Sequence, residues 1–266
     1  MALKFCSLSS GSSGNCYLVG SDSTYILIDA GISAKKITDG LAELNLLPED
    51  ISGILITHEH SDHIKGIDVL SKKYSLPVFA NEKTAAEMKS LCKQWDSMNI
   101  NIFTSGRPFH IGDLKIKAFP VSHDAADTVG FSVINGKSKL CTATDTGCIT
   151  DEILEEMYPA DLIILEANHD EDILKMGRYP WFLKQRILSD CGHLSNSAAG
   201  EVIAKIIKTG SGPKRFLLAH LSRENNFPEM ACQTILNILE SYDIFPGDRF
   251  EMDLLRRDEI SGVYLL

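Results

Sequence analysis

The segment Thr57-His58-Glu59-His60-Ser61-Asp62-His63 gathers three imidazoles and the Asp62 carboxylate within six residues. Neutral imidazole and carboxylate are the usual ligands of zinc, manganese and iron. One ion needs only three such groups. Four of them, with more His and Asp downstream, point to two ions. The elements that would position these groups flank the segment. Ile54-Leu55-Ile56 reads as a buried strand, and Ile64, Ile67 and Leu70 then recur at helical spacing. A strand-to-helix turn aims several side chains into one cleft.

The pattern His-x-His-x-Asp-His resembles the signature of the metallo-β-lactamase fold superfamily, and the resemblance extends along most of the chain. Asp29, after Tyr25-Ile26-Leu27-Ile28, resembles the family's first motif, an acidic residue that buttresses the ligand loop without being a ligand. His123 in Val121-Ser122-His123, Asp145 in Thr144-Asp145-Thr146 and His220 in Ala219-His220-Leu221 resemble its third, fourth and fifth motifs. Each follows an apolar, strand-like run. The resemblance implies that His58, His60 and His123 hold one ion, that Asp62, His63 and His220 hold a second, and that Asp145 bridges them. Five of the eight His fall on these positions, leaving His110, His169 and His193. Two divalent ions activate a bridging water for hydrolysis without a Ser or Cys nucleophile, and Asp62 or Asp145 would orient that water. The ions alone do not choose among lactams, thioesters and phosphodiesters.

The chain has 266 residues, 44% of them apolar, enough for one large domain spanning 1–266. Its first residues do not read as a signal peptide, and no apolar run approaches the roughly 20 residues of a membrane span. Seven scattered Cys without a Cys-x-x-Cys pair fit a reduced, cytoplasmic setting. Cys141, Cys148 and Cys191 lie near the motifs and read as small core residues rather than ligands. A cytoplasmic address argues against a secreted antibiotic-degrading enzyme. The net charge of −10 argues against nucleic acid. Against that, two divalent ions would add four positive charges at the site. Lys175, Arg178, Lys184 and Arg186 form either a local basic stripe or an ordinary solvated helix face.

Strand-like runs fall at 3–7, 16–19, 25–29, 54–57, 78–80, 114–122, 128–134, 139–144, 162–166, 215–219, 250–255 and 262–266. Helical periodicity appears around Ile37, Leu41 and Leu44, through Ile64 to Leu70, and in the Val202–Ile207 and Ile235–Leu239 stretches. This mixture predicts two mixed sheets packed face to face with helices outside, an αββα sandwich. Asp145 and His220 are too close in sequence to admit the large inserted domain of some RNA-processing relatives.

Three further segments bear on the substrate. Ser9 to Asn15 is either an anion-binding nest, with Ser12, Ser13 and Asn15 as contacts, or a flexible hairpin turn. Gly192-His193-Leu194-Ser195-Asn196 precedes a helix; capping accounts for Ser195 but leaves His193 free to meet a phosphate. Leu165 to Asp170 ends a strand, where Glu166 or His169 orients water or substrate, or merely closes a turn. Beside the basic residues, Trp181 and Phe182 suit base stacking or, more commonly, core packing. Together these segments resemble the YycJ/WalJ branch of the superfamily, which is similar to the β-CASP and RNase J nucleases but lacks their inserted domain. That resemblance implies a 5′-to-3′ exonuclease on DNA, with RNA as the other polymer, using two manganese or zinc ions. It further implies a 5′-phosphate held by His193, Ser195 and Asn196. The rival readings are a small-molecule hydrolase, such as a cyclic phosphodiesterase or thioesterase, and a non-catalytic metal-binding regulator.

Overall fold

Short β-branched and Leu-rich runs, ended by polar turns, build two seven-stranded sheets among the residues that the computed structural model describes, which are 2–210, 214–247 and 249–266. The first sheet contains β1 (Lys4–Ser9), β2 (Cys16–Gly20), β3 (Tyr25–Ile28), β4 (Ile51–Leu55), β5 (Val78–Asn81) and β6 (Ile100–Phe103) in that spatial order. The second contains β7 (Phe109–Ile111), β8 (Leu114–Pro120), β9 (Val129–Asn135), β10 (Ser138–Ala143), β11 (Leu162–Glu166), β12 (Lys214–Ala219) and β13 (Phe250–Leu254), again in chain order. A terminal β14 (Tyr264–Leu265) returns to the first sheet beside β1. Each sheet is antiparallel in one half and parallel in the other: β3 to β6 and β10 to β13 run parallel.

The expected sandwich is what forms, and alternation along the strands explains it. Ile26, Ile28, Phe131, Ile164 and Leu217 point between the sheets into one shared core. Leu27, Ile54 and Val78 face outward onto α1 (Ala34–Glu43), α3 (Ile67–Tyr74) and α4 (Glu82–Leu91). Ile163, Leu165 and Phe216 pack outward against α5 (Asp151–Met157), α8 (Asn196–Thr209) and α9 (Pro228–Ser241). Strands buried on both faces read as unbroken apolar runs, and each buried Leu or Ile contributes roughly 1.5–3 kcal/mol.

Some predicted boundaries shift. Of the 54–57 run only Ile54 and Leu55 lie in β4, which begins at Ile51, and 262–266 shortens to β14. Strands β6 and β7 lie outside the expected list; both are short and partly exposed, so their pattern is weak. The helix expected from Ile64 to Leu70 is two helices, α2 (Ser61–Ile64) and α3, broken where the Gly66 N–H turns to the Ala30 carbonyl at 2.7 Å. Cys141 is a core residue, but Cys148 is only half-buried and Cys191 is exposed, because both sit in loops rather than strands. Among the described residues no helix is long and apolar enough to cross a membrane.

Candidate metal centre

Parallel pairing sets the site. In register, Ile28 lies beside Leu55, Ala143 beside Leu165, and Glu166 beside Ala219. The residues that follow these strands therefore emerge at one edge of the sandwich, where open α/β sheets place their ligands. Three of them turn with left-handed backbone: Asp29 at φ 62°, Asp145 at 56° and His220 at 55°. Such conformations are costly for non-glycine residues and cluster at functional sites. Here each lets a strand-end side chain bend into the cleft.

The expected ligands come together in groups. His58, His60 and His123 form one group whose candidate ligand atoms lie within 4.8 Å of one another; Asp62, His63 and His220 form a second. Asp145 lies between, its Oδ2 3.3 Å from His63 Nε2 and its Oδ1 3.4 Å from His220 Nε2 and 3.8 Å from His123 Nε2. Asp62 Oδ2 is 3.6 Å from both His63 Nε2 and His220 Nε2.

Hydrogen bonds at the far side of each ring hold these nitrogens in place. Asp29 accepts from His63 Nδ1 at 2.7 Å, from the Thr57 N–H at 2.9 Å and from the Thr57 hydroxyl at 2.9 Å. With its proton spent on Asp29, the Thr57 hydroxyl accepts from His58 Nδ1 at 3.0 Å. His123 Nδ1 donates to the Gly192 carbonyl at 3.0 Å. Glu166, fully buried, accepts on one oxygen from both His193 Nδ1 (2.7 Å) and His220 Nδ1 (2.9 Å). Its other oxygen accepts from the Thr146 N–H at 2.8 Å. Each arrangement fixes a tautomer that frees Nε2.

What remains unpaired is informative. His58 Nε2, His220 Nε2 and Asp145 Oδ2 are buried without a hydrogen bond. Orphaned polar atoms are costly, and three converging on one space fit a divalent cation. Charge agrees. Burial drives the His58 pKa well below its usual value, so the ring is neutral, as a ligand must be. Burial would raise the carboxyls of Asp62 and Asp145, but His220 and His63 outweigh it and hold both ionised. Burial likewise opposes protonation of His220, yet Asp145 carries its pKa to about 10. Protons on these rings balance the carboxylate charge that a cation would otherwise neutralise.

A family model described as a β-lactamase superfamily domain matches residues 24–221. The chain is 44% identical to exodeoxyribonuclease YycJ of Bacillus anthracis over 95% of each chain. It is 43% identical to exodeoxyribonuclease WalJ of Streptococcus pneumoniae, over 95% of this chain and 94% of that one. The chain belongs to the YycJ/WalJ branch of the metallo-β-lactamase superfamily. The crystal structure of the metallo-β-lactamase fold protein YhfI from Bacillus subtilis superposes with a TM-score of 0.74 over 100% of both chains at 17% identity, a likeness of fold.

In this YycJ/WalJ-branch chain, several groups expected to meet the substrate already have protein partners. The amides of residues 10, 11, 12, 14 and 15 are spent on Arg256 O, Asn15 Oδ1, Leu221 O, Gly11 O and Asp62 O. The Ser9 to Asn15 loop is thus no open nest. Ser12 and Ser13 are exposed, and among the described residues their hydroxyls make no hydrogen bond. Asn15 is buried, its side-chain amide 3.2 Å from His63 Nε2. Ser195 caps α8 through Ala198 N–H, and Asn196 pairs reciprocally with Asn226, so neither faces a ligand freely. Of the four basic residues, Lys184 is buried against the Lys175 and Gly177 carbonyls, Lys175 on α6 (Glu171–Met176) pairs with Glu171, Arg186 pairs with Asp124, and Arg178 is exposed. Trp181 and Phe182, on α7 (Trp181–Ile187), are exposed rather than packed.

His193 does lie at the site, its ring centroid 5.0 Å from His123 and 5.3 Å from His220. Burial would lower its pKa, but Glu166 raises it. His169 is buried, with both ring nitrogens unpaired and its pKa lowered to about 4 by burial. Sequence reasoning left Glu166 ambiguous and missed Thr57 and Asn168, whose side-chain amide donates to the His220 carbonyl at 2.9 Å. The signal for each was its place at or just past a strand end.

Proposed function

We propose that the protein is a two-metal exodeoxyribonuclease that removes nucleotides from a 5′-phosphorylated DNA end in the 5′-to-3′ direction. The observation that carries this reading is near full-length similarity to exodeoxyribonucleases in a chain whose His and Asp ligand atoms converge on one cleft. His58, His60 and His123 would hold one ion and Asp62, His63 and His220 the other, with Asp145 shared; manganese and zinc both suit these donors. When bound, the ions supply Lewis acidity that activates water and neutralises phosphoryl charge.

The chain's own groups do the rest. Asp29 and Glu166 keep the Nε2 atoms of His63 and His220 directed inward. Asp62 and Asp145, held ionised, accept hydrogen bonds from the attacking water and orient it. His193 is anchored by Glu166 at Nδ1, and its Nε2 would meet a phosphoryl oxygen or protonate the departing oxygen.

The test is digestion of end-labelled DNA and RNA, with and without a 5′-phosphate, by protein loaded with manganese or zinc. Stepwise release from 5′-phosphorylated DNA, abolished by a chelator, is expected. Intact polymer alongside rapid turnover of small esters would replace the reading with a small-molecule hydrolase.

A further inference from the structure

A cavity of about 330 Å³ opens beside the metal centre, walled by residues that the chemistry above does not use. Ser10 and Leu221 form its inner side. Both adjoin His220: the Ser10 hydroxyl accepts from the His220 N–H at 3.0 Å, and Leu221 is the next residue. The outer side carries Arg223, Phe227, Arg256 and Arg257 together with Asp258 and Glu259.

The charges in this wall do not cancel evenly. Glu259 is 3.5 Å from Arg256, and Asp258 is 3.3 Å from Lys36, which lies outside the cavity lining. Those pairings leave Arg223 and Arg257, which among the described residues make no ion pair with a carboxylate. Arg257 is half-buried, and one of its guanidinium nitrogens donates to the Leu221 carbonyl at 2.8 Å, which fixes the side chain against the cavity. Burial is the main influence on its pKa and lowers it; the adjacent Asp258 carboxylate raises it, and Arg223 lowers it in turn. Both guanidinium groups line the same cavity, and their planar donor forks match phosphate oxygens. On a chain of net charge −10, a cationic pair next to a metal centre is a local exception to the field. Phe227 stands 45% exposed at the same rim and offers a ring to a base.

We propose that Arg223 and Arg257 form a phosphate subsite for the substrate strand, adjacent to the scissile bond on the His220 side. The proposal rests on the nuclease reading above and adds to it the residues that hold the strand. The phosphate is either the terminal 5′-phosphate or an internal one, and the two sources are separable by experiment.

Manganese-loaded wild-type protein, Arg223→Ala and Arg257→Lys are compared on single-stranded DNA bearing a 5′-phosphate or a 5′-hydroxyl. Bis(p-nitrophenyl) phosphate serves as a substrate too small to reach the cavity. Arg223→Ala removes an exposed side chain that makes no hydrogen bond or ion pair among the described residues; Arg257→Lys retains the charge but loses the fork. The expected result is a KM for DNA raised about tenfold or more, with turnover of the small diester unchanged. In Arg223→Ala the slope of log affinity for DNA against log salt concentration should also fall by about 0.7 for the lost charge. A loss confined to 5′-phosphorylated ends assigns the terminal phosphate, and an equal loss on both ends assigns an internal one. Wild-type KM in both variants, with a wild-type salt slope in Arg223→Ala, overturns the subsite while leaving the nuclease reading intact. Absence of DNA cleavage by wild-type protein that hydrolyses the small diester overturns both.

Discussion

Asp29→Asn isolates the part that a buried, non-ligating carboxylate plays in binding metal. Asn preserves the shape of the side chain and tolerates the left-handed backbone at φ 62°. It cannot preserve the hydrogen bonding. In the native protein both Asp29 oxygens accept, one from the Thr57 N–H and the other from the Thr57 hydroxyl and His63 Nδ1. Whichever way an Asn amide is turned, its NH2 meets either the Thr57 N–H or the His63 Nδ1–H. The conflict is relieved if His63 moves its proton to Nε2, the atom that lies 3.3 Å from Asp145 and 3.6 Å from Asp62. A protonated Nε2 cannot ligate. Metal binding must then restore the opposed donors, at a cost of about 1–3 kcal/mol, which corresponds to a loss of roughly 10- to 100-fold in affinity. Competition with a chelator of known affinity measures the loss, and nitrogen-15 NMR of the imidazoles reports the tautomer. Wild-type affinity in Asp29→Asn, with His63 still protonated on Nδ1 in the loaded protein, would refute the reasoning.

Three other perturbations probe different links. A methyl group at Gly31 would lie 1.6 Å from the Asp62 carbonyl oxygen and 2.7 Å from the Asn15 nitrogen. Gly31→Ala should therefore displace the Asp62 loop, destabilise by about 3 kcal/mol in urea unfolding and lower the retained metal; unchanged metal content would count against this packing. His193→Gln should keep full metal content by atomic emission while turnover on DNA falls about 10²- to 10⁴-fold; parallel loss of metal would place His193 among the ligands instead. Far from the site, the buried Glu156 accepts from Lys117, Lys139 and Ser132. Burial would raise its pKa, but these partners hold it at about 2, below the unfolded value of about 4.5. A depressed carboxyl pKa stabilises the fold above the unfolded pKa, and that stabilisation is lost as pH falls through the folded one. Glu156→Gln should cost about 2–3 kcal/mol at pH 7, a difference that shrinks between about pH 4.5 and 2. A difference that persists at low pH would show that shape rather than charge matters there.

The sequence by itself determined the elements and the chemistry that is local in the chain. His58, His60, Asp62 and His63 lie on one turn, so their spacing alone brings them together. The apolar runs before Asp29, Asp145 and His220 marked strand ends, because a strand buried on both faces has no polar interruption until it stops. Short partly exposed strands such as Ile100–Phe103 lacked that contrast and left no such mark. Which strand ends meet was decided only by the tertiary structure. Glu166 serves His193 and His220 together because parallel register sets it beside Ala219. Residue type also failed to give direction: Lys184 is buried on backbone carbonyls while Trp181 and Phe182 face solvent. Whether a charged or polar group near the site is free depends on which partners packing brings to it. Asn196 was claimed by Asn226, whereas among the described residues Arg223 and Arg257 make no ion pair with a carboxylate. Those partners are distant in sequence, so composition and spacing carry no record of them.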